Sequence, residues 1–208
     1  VHLGVSPAAG QAGRRVLPQP TNWVAFIADL HWTCPGQPDV FGRLYRASDG
    51  SERVETGPAR DVIEVVSINN FAEARHYEFS TSRGWISQPM VLPPDGYTPR
   101  PVPSDLDGLR PHETRVAGLE VYAYSKGDMV VLQAPALNFF PLVMQELTTG
   151  IRTEYHNVVL TEPAPHLFRP PANAVVTQLT TPGGFVYFTG RDDPNAQIRR
   201  PPECTTPE

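Results

Sequence analysis

Residues 21–33, TNWVAFIADLHWT, decide the fold because apolar and polar side chains alternate along them. Asp29 and His31 share one face. The opposite face is apolar throughout and consists of Val24, Phe26, Ala28, Leu30 and Trp32. A period of two residues is the spacing of a β-strand whose faces meet different surroundings. The stretch therefore predicts a long strand with Phe26 directed into the core.

The same alternation continues along the chain and predicts more strands. Residues 39–56 form two alternating arms around Ser48-Asp49-Gly50, a turn sequence that predicts a β-hairpin. Further strands are predicted at 61–70, 74–81, 85–92, 119–125, 128–134, 141–147 and 152–160. No window of ten or more residues shows an amphipathic helix, and the 24 Pro and 16 Gly disfavour long helices. The predicted class is mostly β, with a single antiparallel sheet.

The composition at the two ends and in the middle of the chain sets the domain limits. Residues 1–20 and 191–208 are rich in small residues and proline without periodicity, which predicts extended tails. Residues 89–111 contain seven prolines and predict a long, largely extended loop. One β domain is therefore expected at 21–190.

Charge and hydropathy exclude two classes of partner. The formal net charge is -5 and the pI is about 5.7, without a basic run, so binding to nucleic acid is not expected. No apolar stretch reaches the roughly 20 residues of a membrane-spanning helix. G-x-S-x-G and phosphate-binding glycine motifs are absent from the sequence, and we expect neither an enzyme nor a cofactor.

Arg152, Glu154 and His156 alternate along the last predicted strand, the spacing that places three side chains on one face. A catalytic or metal site requires groups that converge from several elements, whereas a single row is typical of the solvated face of a sheet. The solvated face is therefore the expected interpretation of this row.

A second candidate metal site consists of Asp29, His31 and His76. Asp29 and His31 share a strand face, and His76 is a third candidate ligand, but no H-E-x-x-H or C-x-x-C spacing accompanies them. No metal is expected. His112 and Glu113 are predicted to be exposed at the end of the Pro-rich loop.

Two further features lie near the chain's C-terminal end. Arg191, Asp192, Asp193 and Asn195 contain oxygens suited to calcium, but Asp-Asp-Pro-Asn favours a turn. Cys34 and Cys204 are expected to form a disulfide in an exported protein and to stay as thiols in a cytosolic one. If paired, they tie the C-terminal tail to the end of the first long strand.

Large apolar side chains are concentrated in two strands. The set consists of Val24, Phe26, Leu30, Trp32, Phe139, Phe140, Leu142 and Met144. Such a set forms either a plain core or the wall of a site for an apolar ligand, where a flexible Met is suitable. Both interpretations predict burial, and only an internal cavity separates them.

The final predicted strands and the segment after them match most of the pattern G-…-R-…-L-x-N-I-…-E-P-x-P-x-L-F-x-x-P. The matching residues are Gly150, Arg152, Asn157, Glu162, Pro163, Pro165, Leu167, Phe168 and Pro171. With the preceding strands, residues 21–172 resemble exported bacterial proteins related to the outer-membrane lipoprotein carrier LolA.

The resemblance implies a strongly curved antiparallel half-barrel, a periplasmic or extracellular location, and an apolar concave face that accepts acyl chains. Helices that plug the open side of those carriers have no counterpart in this sequence. Two non-enzymatic functions are expected. The first is a binding protein for a lipid, an acylated protein or a hydrophobic peptide. The alternative is a structural or accessory subunit held in an assembly by its tails and edge strands.

Overall fold

The computed structural model describes residues 23–90 and 110–181. These ranges form one open, curved sheet. Its strands are, in chain order, β1 (Phe26–Thr33), β2 (Val40–Arg46), β3 (Glu52–Gly57), β4 (Val65–Asn70), β5 (Arg75–Ser80), β6 (Gly84–Pro89), β7 (Arg110–Pro111), β8 (Tyr122–Lys126), β9 (Met129–Ala134), β10 (Phe140–Glu146), β11 (Arg152–Val159) and β12 (Val176–Gln178). The prediction of a mostly β fold with a single curved sheet is confirmed.

The strand order across the sheet is β12-β6-β5-β4-β3-β2-β1-β11-β10-β9-β8-β7. Strands β1 to β6 and β7 to β11 are two meanders of antiparallel neighbours, and the pairing of β1 with β11 joins them. Only β12 departs from this pattern among the described strands, because it runs parallel to β6. The predicted hairpin at Ser48-Asp49-Gly50 is confirmed, with β2 and β3 as its arms.

Helical structure within the described ranges is confined to two single 3₁₀ turns, Pro135–Leu137 and Pro165–Phe168. Each begins at a proline, whose fixed φ suits the first helical position. No helix in these ranges is long and apolar enough to cross a membrane.

The alternation in β1 separates the two faces of the sheet. The Phe26 face carries Phe26, Ala28, Leu30 and Trp32, and the His31 face carries Asp29 and His31. On the Phe26 face, the central cluster consists of Phe26, Ala28, Leu44, Val121, Ala134, Leu137, Phe140 and Leu142. Val116 and Leu119 pack against it. Side chains from the segment before β8 and from a 3₁₀ turn therefore cover this face, and they do so without an α-helix.

A second apolar cluster lies on the opposite face, over β4 and β5. It consists of Ala47, Val66, Ile68, Tyr77 and Phe168, with Tyr45, Phe79 and Trp85 at its margin. Phe168 comes from the segment that follows β11, and Arg53 and Asn70 bind that segment by donating to the carbonyl oxygens of Leu167 and Phe168. The E-P-x-P-x-L-F motif thus covers the first meander on the His31 face.

Two glycines allow unusually close approach of neighbouring backbone. A Cβ at Gly42 would lie 2.0 Å from the carbonyl oxygen of Glu55, and one at Gly57 would lie 1.8 Å from that of Val62. Neither distance is compatible with a side chain. At Gly57 the chain leaves β3 and turns sharply, so the prediction of strand at 61–64 is wrong and β4 begins at Val65.

The proline-rich loop was predicted to begin at residue 89 and end at 111, but both of these prolines lie in strands. Pro89 ends β6 and Pro111 ends β7, which is the outermost strand of its half. An edge position suits proline because it has no N–H to donate to a ladder. The predicted tails and most of the loop lie outside the described residues.

Candidate functional site

The register of β1 against β11 brings polar groups together at the middle of the sheet. His31 is the cross-strand partner of Glu154, and Asp29 is that of His156. Directly paired residues of an antiparallel ladder project from the same face, with their Cβ atoms about 5 Å apart. The row Arg152, Glu154 and His156 of β11, which was predicted to be a solvated face, therefore lies beside Asp29 and His31 of β1 on the His31 face.

Three of these side chains form a compact histidine–carboxylate cluster. One ligand atom each from His31, Glu154 and His156 lies within 4.8 Å of the other two. His156 Nε2 is 3.3 Å from the Oε2 atom of Glu154. Arg152 binds the other carboxylate oxygen of Glu154 and donates from Nη1 to Gln145 at 2.8 Å. Glu154 is therefore fixed on one side and faces the two histidines on the other.

His31 is held by two contacts on β2 and the loop before it. Its Nε2 atom lies 2.9 Å from the carboxylate of Asp39, and its ring stacks on Phe41 with the ring centroids 4.7 Å apart and the planes 4° from parallel. One ring nitrogen is thus hydrogen-bonded and the ring plane is fixed. The polar spacing of β1 predicted an outward histidine but not these partners.

Asp29 joins three elements of the His31 face. Arg43 of β2 donates to it at 3.0 Å and Asn157 of β11 donates at 2.8 Å. Burial acts to raise the pKa of Asp29, but the hydrogen bonds from Asn157 and Arg43 outweigh it and hold the pKa below its ordinary value. Asp29 is therefore a firmly ionised link between β2, β1 and β11.

A shallow cleft of about 190 Å³ lies beside Asp29 on the same face. Its floor includes Phe41, and its rim carries Arg60 together with Val62 and Ile63 from the turn before β4. Both apolar side chains are exposed, by 43% and 46%. Arg60 is only loosely held, 4.0 Å from Asp29. The cleft thus combines an apolar rim with an available cation.

The predicted ligand wall lies on or beside the Phe26 face, and the structure packs most of it tightly. Phe26, Phe140 and Leu142 belong to the central cluster, Val24 packs against it, and Phe139 is buried. Neither the cleft beside Asp29 nor the depression of about 250 Å³ near the β7–β8 pair is lined by any of the eight predicted residues. The role of this wall in binding stays a prediction.

The part of the predicted ligand wall formed by Leu30, Trp32 and Met144 is less tightly packed than the part around Phe26. Leu30 and Met144 are only half-buried, and Trp32 lies between Val40 and Thr153 in the ladders. The indole nitrogen of Trp32 is buried and has no hydrogen-bond partner among residues 23–90 and 110–181. An unpaired buried donor is uncommon in folded proteins because it loses its hydrogen bonds to water.

An ion pair between the buried Arg46 and the partly buried Glu52 lies among the apolar contacts of the Phe26 face. Arg46 pairs with Glu52, and its guanidinium lies 4.7 Å from the ring centroid of Trp23 and 4.5 Å from that of Phe140. Burial and the negative charge of Glu52 raise the pKa of the nearby Tyr155 to about 12. Such cation–π contacts stabilise a guanidinium that has lost its water.

The remaining predicted site residues lie apart from the histidine–carboxylate cluster. His76 does not join Asp29 and His31, because its Nδ1 atom lies 2.7 Å from the side-chain oxygen of Asn69 on β4. His112 and Glu113 are exposed, as predicted. Cys34 is buried at the end of β1, whereas Cys204 lies outside the described residues, and so do Arg191, Asp192, Asp193 and Asn195. The disulfide and the C-terminal turn stay predictions.

These observations define a class of protein: a mostly β protein built on one open sheet, with a histidine–carboxylate cluster and a charged cleft on one face. No family model matches the sequence, and no curated protein matches it. Solved structures are similar at low identity, and two of them are complexes of MucA and MucB. The complex of MucA and MucB from Pseudomonas aeruginosa aligns at 15% identity over 74% of this chain and 58% of that chain, with a TM-score of 0.47.

The second solved structure, MucB in complex with MucA(peri), aligns at 16% identity over 76% of this chain and 57% of the other, with a TM-score of 0.42. The chain thus spans less than two thirds of either solved chain. Neither likeness assigns it to a family, and the LolA-like family stays a prediction while the β fold is confirmed.

Proposed function

We propose that this is a non-enzymatic, exported accessory protein that binds a segment of another protein in the cleft beside Asp29. The observation that carries the proposal is the pair of exposed side chains, Val62 and Ile63, at the rim of a cleft that also presents Arg60. Exposed apolar groups beside an available charge are typical of protein-binding surfaces. The partner segment expected from this chemistry pairs an apolar side chain with a carboxylate.

The other routes to a protein partner have less support. The described edge strands are short, two residues in β7 and three in β12, and β7 contains a proline. Short edges with proline offer few free backbone groups for strand addition. Assembly through the tails is testable by deleting residues 1–18 or 192–208, which leaves a folded monomer if the tails hold the assembly.

Site-specific photo-crosslinking in the native host tests the cleft. A photoreactive amino acid at position 63 is expected to give one discrete covalent adduct, identified by mass spectrometry, that disappears when Arg60→Glu is added. A matched probe at Leu147, which is 58% exposed at a distant turn, serves as the control. Failure of position 63 to form an adduct, or the same adduct from both positions, contradicts the proposal.

A second candidate function is the binding of an acyl chain at the loosely packed end of the Phe26 face. The buried indole nitrogen of Trp32, which has no partner within the described part of the chain, favours it, because a ligand carbonyl there would accept the missing hydrogen bond. Leu30 and Met144 supply apolar contacts, and each methylene group buried contributes about 0.8 kcal/mol.

Native mass spectrometry of protein from its own source tests this second function. A monomer with several hundred extra daltons is expected, and Met144→Asp should remove that mass while the matched Met129→Asp, on an exposed part of β9, should retain it. Circular dichroism confirms that both variants are folded. Protein that never carries extra mass rules out the acyl site and leaves the cleft proposal unaffected.

A further inference from the structure

We infer that His31, Glu154 and His156 bind a divalent transition-metal ion, of the class of Zn²⁺, on the His31 face. The site adjoins the proposed partner cleft but shares none of its three donor residues with it. Its residues come from two strands, β1 and β11, so the sheet register itself positions the donors. Strands fix side-chain positions more firmly than loops do.

The donor set selects the metal class. Two imidazoles and one carboxylate suit zinc and the later divalent ions of the first transition row, whereas calcium and magnesium require mostly oxygen ligands. Two histidines with one glutamate, plus water at the fourth position, form an established type of open zinc site. The fourth position here is left to water or to a donor from a bound partner.

The interatomic distances fit such an ion after small side-chain adjustments. A tetrahedral zinc ion with ligands about 2.1 Å away holds neighbouring donor atoms about 3.4 Å apart. His156 Nε2 and Glu154 Oε2 are already 3.3 Å apart, and the three donor atoms lie within 4.8 Å of one another. Closing the remaining gap requires only rotation of side chains that are half-buried at the surface of the sheet.

The groups around the donors resemble the outer shell of a metal site. A histidine ligand commonly shares its second ring nitrogen with a carboxylate, and Asp39, 2.9 Å from Nε2, would have this relation to His31 if the ion binds at Nδ1. Arg152 and Gln145 orient Glu154 from the side away from the histidines. The neighbouring carboxylates of Asp29 and Asp39 favour a cation, while Arg152 and Arg43 oppose it, so the binding energy must come from coordination itself.

Isothermal titration of ZnCl₂ into the tag-free, oxidised full chain tests the site. One ion per chain is expected, and His31→Ala, Glu154→Gln and His156→Ala should each weaken binding by at least tenfold. Asp39→Asn should weaken it by about 10- to 100-fold if it acts through His31. His76→Ala is the matched control and should bind zinc like the unmodified chain, because His76 lies on β5 and contacts Asn69.

Cobalt substitution provides a readout that does not depend on affinity. A Co²⁺ complex with nitrogen and oxygen donors shows visible d–d bands without thiolate charge transfer, and His156→Ala should alter those bands. A stoichiometry below one ion per chain, a thiolate spectrum, or equal losses in His76→Ala and His31→Ala would overturn the inference. Circular dichroism of each variant separates loss of a ligand from loss of the fold.

Discussion

Asn157 donates a hydrogen bond to Asp29 at 2.8 Å across a bulge, while its own backbone lies in the left-handed region at φ 50°. The register of β1 against β11 shifts between Ile27 and Asp29, so β11 has an extra residue at this point. One type of bulge, the G1 bulge, places its first residue in the left-handed region, which asparagine tolerates better than most residues other than glycine. Asn157 thus has two roles: its backbone adopts the left-handed conformation at the bulge, and its side chain stabilises the ionised carboxylate of Asp29.

Replacing Asn157 separates its two contributions. Asn157→Gly keeps the backbone conformation and loses the hydrogen bond, and should lower the free energy of unfolding by about 1–2 kcal/mol. Asn157→Ala loses the bond and also strains the backbone, which should add about 1 kcal/mol. Urea unfolding followed by circular dichroism measures both. An alanine variant as stable as the glycine variant would show that the left-handed conformation carries no strain.

The lowered pKa of Asp29 predicts an acid-sensitive contribution to stability. The folded protein binds this proton less readily than the unfolded chain, so the contribution is present above the unfolded pKa, near 3.8, and is lost as the pH falls through the lower folded value. Asp29→Asn should therefore destabilise the protein at pH 7, and this difference should shrink progressively as the pH falls below 3.8. Urea unfolding at a series of pH values measures the difference.

The Arg46–Glu52 pair, in which Arg46 is buried, predicts a strong dependence of each partner on the other. Arg46→Met leaves the Glu52 carboxylate unpaired and should cost about 3–5 kcal/mol, whereas the double variant Arg46→Met/Glu52→Gln should recover much of that loss. Arg115→Met removes an exposed guanidinium from a pair with Glu120, whose side chain is also exposed, and should cost under about 1 kcal/mol. A double variant less stable than the single one would mean that the cation–π contacts, and not the charge pair, dominate.

The close approach of Glu55 to Gly42 predicts that alanine is not tolerated there. Gly42→Ala places a methyl group against the Glu55 carbonyl and should lower the free energy of unfolding by more than about 3 kcal/mol or prevent folding. Gly127→Ala meets no atom within 4 Å but has φ +62°, so its cost should stay near 1 kcal/mol. Similar losses in the two variants would contradict a steric origin. Thermal unfolding by calorimetry provides the comparison.

Local pattern predicted most of the sheet because each long strand has one apolar and one polar face. The alternation around Phe26 and the turn at Gly50 determine β1, β2 and β3 without reference to distant residues. Strands β7 and β12 were not predicted, since two or three residues are too few for a period to appear. The strand predicted at 61–64 failed because the apolar Val62 and Ile63 satisfy the pattern while lying in a turn.

The sequence predicted that Glu154 and His156 share a strand face, but it did not predict that His31 lies beside them. Glu154 and His156 were recognised as one face of a strand, but the convergent group from a second element, His31, belongs to β1 at the other end of the domain's sequence. Asn157 and Asp29, the neighbouring link between these strands, are 128 residues apart. Periodicity shows which face a side chain occupies and does not show which strands are neighbours. Only the pairing of β1 with β11 supplies that information.

The central position of the β1–β11 pair has a consequence for the time course of folding. Each meander consists of hairpins that close short loops. The β1–β11 ladder that joins the two meanders instead requires closure of a loop that contains nearly the whole described chain. The parallel contact of β12 with β6 also spans a long sequence separation. The entropy of closing a loop of this length is lost before the stabilising contacts form. Folding that is dominated by such long-range contacts takes milliseconds to seconds. Because the donors of the inferred metal site lie on both sides of that ladder, the site is completed only when the two halves have met.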